Sequence, residues 1–292
     1  MIRAVVTDMD NTLYSWVDYI VPSIEGMVKS LCETTGFPRI KVVQALKEVY
    51  ERYESNEYPF AIQESRLFEP FKYDFASFDQ LVIAPARDAF ASARRRYMKP
   101  YRGVVSGLQQ LKELGIPVVA LTDAPRNPAE RRVKRMELDQ YFVALYTLPA
   151  FPFPDSGVAH HIRSAESAGG VKLKCPVVEL PRDFEKPDTR GLELICESLG
   201  VKPSEVLVIG DSQQKDVLLA QRMGAVDCWA EYGTYRSEEY SERLNVISAP
   251  SAIKRNLQQG PALGKPPTHR LSSFELIVPI VLESRRGVTA VA

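Results

Sequence analysis

Residues 2–12 read IRAVVTDMDNT. The first six, Ile2 to Thr7, make a short apolar, β-branched run, the pattern of a strand buried on both faces. The run ends at two carboxylates, Asp8 and Asp10, followed by Asn11 and Thr12. In open α/β sheets ligands bind beyond the carboxyl ends of the strands, so polar residues there carry chemical information. Two carboxylates two residues apart project from one sheet edge toward the crevice. Taken alone, the pair also fits a helix N-cap followed by a turn Asp.

Downstream, strand and helix patterns alternate. The sequence predicts a helix over 104–114, a strand over 117–122, a helix over 128–137 and a short strand over 143–147. A strand over 177–180, a helix over 189–199, a strand over 205–209, a helix over 216–223 and a strand over 226–230 follow. Such alternation implies an α/β fold built on a doubly wound parallel sheet. Residues 16–99 break the pattern. Helical periodicity covers 18–33 and 40–53, where Val42, Leu46, Val49 and Tyr53 recur along one face. It returns over 78–97, with Pro85 placed to start or kink that helix. These residues read as a helical insertion. Residues 148–176 are rich in Pro, Gly and Ser and contain His160 and His161. A surface excursion is preferred there over a flap. Residues 260–268 read as a linker before an apolar segment over 274–282.

Three further places hold candidate chemistry. Thr122 ends a strand, and Asp123 behind it is expected to cap the next helix. Lys186, followed by Pro187, stands at a helix entry. The strand over 205–209 ends in Gly210 and Asp211, with Asp216 five positions on. Gly210 is expected to let the backbone turn sharply.

Taken in order, these motifs resemble the haloacid dehalogenase-like hydrolase superfamily, in its phosphatase branch with a helical cap between the first and second motifs. Asp8, Asp10 and Thr12 match the Asp-x-Asp-x-Thr motif, Thr122 the second motif, Lys186 the third, and Asp211 with Asp216 the acidic fourth. The resemblance covers residues 1–15 and about 100–230. It implies a discontinuous core over 1–15 and 100–292, split by an inserted α-helical cap domain over 16–99. It makes Asp8 the nucleophile, Asp10 the acid and base, and Thr122 and Lys186 the holders of the transferring oxygens. Asn11 joins Thr122 and Lys186 among the substrate-binding candidates. Metal ligands are Asp8, Asp10 (through its main-chain carbonyl), Asp211 and Asp216. Four carboxylates against a dianionic ester need a cation, and Mg²⁺ accepts carboxylate and phosphate oxygens together.

Composition narrows the field. The 37 Lys and Arg balance 37 Asp and Glu, so the basic excess of a nucleic-acid binder is missing. No apolar run approaches the roughly 20 residues of a membrane span. Four scattered cysteines, without metal spacing, fit a reducing cytoplasm. The expected function is a Mg²⁺-dependent phosphatase acting on a small phosphorylated metabolite. A phosphomutase or dehalogenase of the same superfamily, or a catalytically idle binding protein on the same fold, are the alternatives. Asp10 weighs against the dehalogenase, whose branch characteristically lacks that second Asp. The three Arg at 94–96 read as a basic helix end matched to the helix dipole rather than a substrate contact.

Overall fold

Among the described residues seven parallel strands form one sheet: β1 (Ala4–Thr7), β2 (Val118–Pro125), β3 (Phe142–Leu148), β4 (Val177–Glu179), β5 (Val206–Gly210), β6 (Val226–Trp229) and β7 (His269–Arg270). Their order is β4-β3-β2-β1-β5-β6-β7. The computed structural model describes residues 1–152, 171–257 and 264–289. His160 and His161 lie outside them.

β1 sits at the centre, with Val5 beside Val118 on one side and Leu207 on the other. From β1 the chain steps outward through β2, β3 and β4, then returns to the opposite flank for β5, β6 and β7. The switch point therefore falls between the ends of β1 and β5, where a doubly wound sheet opens a crevice. All four β1 residues are buried, which is why its sequence is apolar without alternation. Ala4 and Val6 pack into one layer with Val119, Val208, Leu192 and Ile195. Val5 packs into the other with Ala120, Ile209, Leu108 and Phe274.

Residues between β1 and β2 are helical, led by Trp16–Thr35, Arg39–Tyr53 and Ala84–Tyr97. Ser15 caps the first by accepting the Asp18 N–H at 3.2 Å, and Gly36, in the left-handed region, ends it. The helix expected over 78–97 is present as one continuous helical run over 75–97, widened by a π-turn over Asp79–Ile83. Pro85 stands just after the π-turn, where its missing N–H interrupts the regular hydrogen-bond ladder.

Two helices that the sequence pattern did not reveal, Glu238–Ile247 and Pro250–Leu257, pack on Trp16–Thr35 and Arg39–Tyr53. Arg243 meets Glu25 at 2.6 Å, and Asn56 Nδ2 donates to Ser248 Oγ at 2.6 Å. The chain between β6 and β7 thus braces the insertion. The apolar final segment becomes the Ile277–Thr289 helix, packed beside Val104–Glu113. Among the described residues no helix is long and apolar enough to cross a membrane.

Candidate active site

The backbone of β1 continues its pairing one residue beyond the strand, with Asp8 N–H donating to Ile209 O at 2.9 Å. The chain then turns back on itself: Asn11 takes a φ of 59°, which Asn tolerates better than most residues, and Leu13 N–H returns to Met9 O at 2.9 Å. Asn11 Oδ1 accepts the Trp16 N–H at 3.0 Å, so this side chain fixes the loop. Thr12 joins the two acidic motifs. Its hydroxyl donates to Asp8 Oδ2 at 3.2 Å and accepts the Asp211 N–H at 3.1 Å.

Lys186 is buried at the centre. Its Nζ donates to Asp8 Oδ1 at 2.6 Å, to Asp216 Oδ1 at 2.7 Å and to Leu121 O at 3.3 Å, using all three protons. Burial opposes its charge, but Asp216 and Asp8 outweigh burial and hold its pKa well above the ordinary lysine value. Carboxylate oxygens of Asp8, Asp211 and Asp216 all lie within 4.8 Å of one another. Burial, countered by Lys186 and reinforced by Asp216, pushes Asp8 up to about 7. Burial together with Asp8 and Asp216 raises Asp211 well above the usual carboxylate range. Thr122 is buried beside them, its Oγ1 accepting the Ala124 N–H at 3.1 Å. Asp8, Asp10, Thr122, Asp211 and Asp216 line one cavity of about 70 Å³.

Two expectations change. Asp123 does not cap the helix that follows, because β2 runs on to Pro125 and the Arg126–Arg135 helix has no side-chain cap. Asp123 instead accepts the Lys186 N–H at 3.1 Å and Lys215 Nζ at 2.9 Å. These two lysines outweigh burial and lower its pKa. Gly210 lies outside the left-handed region, so a sharp turn is not its reason. A Cβ there would stand 2.1 Å from Asp216 Cγ. Gly233 likewise lets Asn11 O approach to where its own Cβ would stand, 1.6 Å away. Gly210→Ala is expected to displace the Asp216 carboxyl, costing about 1–3 kcal/mol of stability and most of the activity. Urea unfolding and turnover of the same preparation check this.

The carboxyl of Asp10 stands apart from the other three acids. It accepts Tyr14 OH at 2.6 Å and is clasped by Arg132 Nη1, whose contact with Oδ2 is 2.6 Å. Arg132 is fully buried and reaches across to Glu57 Oε2 with Nη2, also at 2.6 Å. Glu57 further accepts Tyr19 OH at 2.9 Å and Trp16 Nε1 at 3.2 Å. Burial works against the Arg132 charge, but Asp10 and Glu57 raise its pKa well above the ordinary value. Sequence reasoning missed Arg132, Glu57 and Tyr14. Arg132 is one of five cations in the Arg126–Arg135 helix, and only the rotation of that helix singles it out.

Comparisons place the chain among known proteins. A family model described as haloacid dehalogenase-like hydrolase matches residues 2–224, a span holding every motif residue named above. The glyceraldehyde 3-phosphate phosphatase of Methanopyrus kandleri is 24% identical over 248 residues, 82% of this chain and 88% of that protein. The phosphoglycolate phosphatase of Thiobacillus denitrificans is 24% identical over 244 residues, again 82% and 88%. A HAD phosphatase structure from Thermococcus onnurineus has a TM-score of 0.55 at 16% identity, covering 96% of this chain and 98% of its own. A 2-haloacid dehalogenase from Pseudomonas syringae gives 0.56 at 17% identity, with 97% and 99% covered. At such identities the two structures share the fold. On the extent of the family match, the chain belongs to the haloacid dehalogenase-like hydrolases.

Proposed function

We propose that the protein is a Mg²⁺-dependent phosphatase of a small phosphorylated metabolite, working through an aspartyl-phosphate on Asp8. One observation carries this reading: the Asp211 carboxyl, half-buried beside Asp8 and Asp216, has no hydrogen-bond donor among the described residues. Its two neighbours share Lys186, which has no proton left to give. A cation is what this set of hard oxygen donors lacks, and Mg²⁺ fits carboxylates that also face a phosphate. Asp8, Asp211, Asp216 and the main-chain carbonyl of Asp10 would hold it. Bound there, Mg²⁺ would neutralise the phosphoryl oxygens and offset repulsion between the ester and Asp8.

The chain's own groups then divide the work. A carboxylate oxygen of Asp8 attacks phosphorus, and the ester P–O bond breaks. Lys186 holds Asp8 in place and supplies positive charge where phosphoryl charge develops. The Thr122 hydroxyl, whose proton has no acceptor among the described residues, donates to a phosphoryl oxygen. Asp10 gives its proton to the departing alkoxide, then takes one from the water that attacks the phosphoenzyme. Inorganic phosphate leaves and Asp8 is regenerated. Asn11 acts through the loop it fixes. Residues 16–99 act as the cap that closes over this crevice and excludes water.

The purified protein is expected to hydrolyse phenyl phosphate with added Mg²⁺ and to lose activity in a chelator, with recovery on readdition. Equal turnover in chelator would overturn the metal assignment.

A further inference from the structure

A second, larger cavity of about 460 Å³ adjoins the catalytic one, and the two share Glu57 and Phe151 as a wall. Its size is that of a pocket for a whole ligand, well beyond what a two- or three-carbon leaving group fills. The walls include six aromatic rings, Tyr58 and Phe90 among them. They also carry three guanidinium groups, Arg87, Arg94 and Arg131, against two carboxylates, Glu57 and Asp79. Glu57 is already held by Arg132 at 2.6 Å.

Arg94 stands out among these. It is half-buried, and among the described residues its guanidinium has neither an ion pair nor a hydrogen bond, only the Phe90 ring at 5.9 Å. Its neighbours in the basic run behave differently: Arg95 is exposed, and Arg96 lies over the Tyr97 ring at 5.5 Å in solvent. Burial, with Arg131 and Arg132 nearby, makes the Arg94 charge costly and lowers its pKa despite Tyr19 and Glu57. A partly desolvated cation that faces a cavity, with no partner among the described residues, is satisfied by an anion brought in from outside.

We propose that this cavity receives the leaving group, and that Arg94 binds an anionic group at its end. The substrate class is then a phosphomonoester whose leaving group has an apolar or aromatic body and carries a second negative charge, such as a carboxylate. The inference rests on the phosphatase reading above. It also reassigns one residue of the basic run from the helix end to substrate selection.

The test compares 4-carboxyphenyl phosphate and the longer 4′-carboxybiphenyl-4-yl phosphate with their neutral carboxamide counterparts. At least one carboxylate is expected to exceed its carboxamide by about tenfold or more in kcat/KM, expressed in KM. Arg94→Gln should erase that preference, Arg94→Lys should keep part of it, and Arg95→Gln, on the exposed side, should keep all of it. Equal values for both pairs in the wild type, or a preference that survives Arg94→Gln, overturns the inference. If no ester turns over, the phosphatase reading fails by itself. The matching arylphosphonates then decide the anion site by calorimetry: tighter binding of a carboxylate, lost in Arg94→Gln, supports it, and its absence refutes it.

Discussion

Asp8→Asn is expected to lower kcat by roughly four to six orders of magnitude, the loss seen when a covalent nucleophile is removed. The substitution is nearly isosteric, and the new carboxamide oxygen can still accept from Lys186 Nζ, so the loop after β1 keeps its anchor. What disappears is the oxygen proposed to attack phosphorus. Stability should hold or rise, and the sign follows from the charge. Asp8 is pushed up to about 7, above its unfolded value, so the metal-free folded state loses stability as pH rises through that window. Asparagine does not ionise, so it develops no buried negative charge as pH rises. Thermal unfolding in chelator at pH 8 should therefore show the variant at least as stable as wild type. Substantial turnover by a folded Asp8→Asn protein would remove Asp8 from the role of nucleophile.

Arg132→Met should damage stability and chemistry together. The side chain is fully buried between Asp10 and Glu57, so its loss strands two carboxylates. Breaking a buried pair costs about 3–5 kcal/mol. The lower end applies here, since Asp10 retains 24% side-chain exposure and water can screen it. Turnover should fall by about 100-fold, the lower range for a disturbed acid–base group. Arg132→Lys keeps the charge but lacks the planar fork that reaches both acids, so it should fall between. Urea unfolding with kcat measurements on the three proteins gives the ordering. A Met variant as stable and as fast as wild type would show that the bridge has no role.

The residues legible in the sequence share one property: backbone topology alone places them. Asp8 and Asp211 stand just past strand ends, Thr122 in the second half of β2, Lys186 shortly before the Arg190–Leu199 helix, and Asp216 in the turn after β5. A parallel sheet brings such positions to one edge whatever surrounds them. Arg132, Glu57 and Arg94 depend on how helices rotate and dock, which a single chain's periodicity does not encode. Asp123 shows the same limit at short range. A carboxylate after a strand fits a helix cap equally well until the strand is found to extend and Lys215 to reach it at 2.9 Å. The braces over Glu238–Ile247 and Pro250–Leu257 are short, and their apolar faces meet other helices and not the sheet, so no strand–helix alternation announces them.

Arg132 has one further consequence. It spends one guanidinium on two carboxylates from separate parts of the chain, Asp10 in the loop after β1 and Glu57 in the helical insertion. If the insertion swings away to admit substrate or release phosphate, Arg132 has to let go of one of them. In the proposed mechanism, lifting the insertion would part Arg132 from Glu57 and leave its guanidinium with Asp10. The group assigned to proton handling would then be geared to the position of the lid. Such an interlock would spare the open enzyme from idle chemistry on solvent.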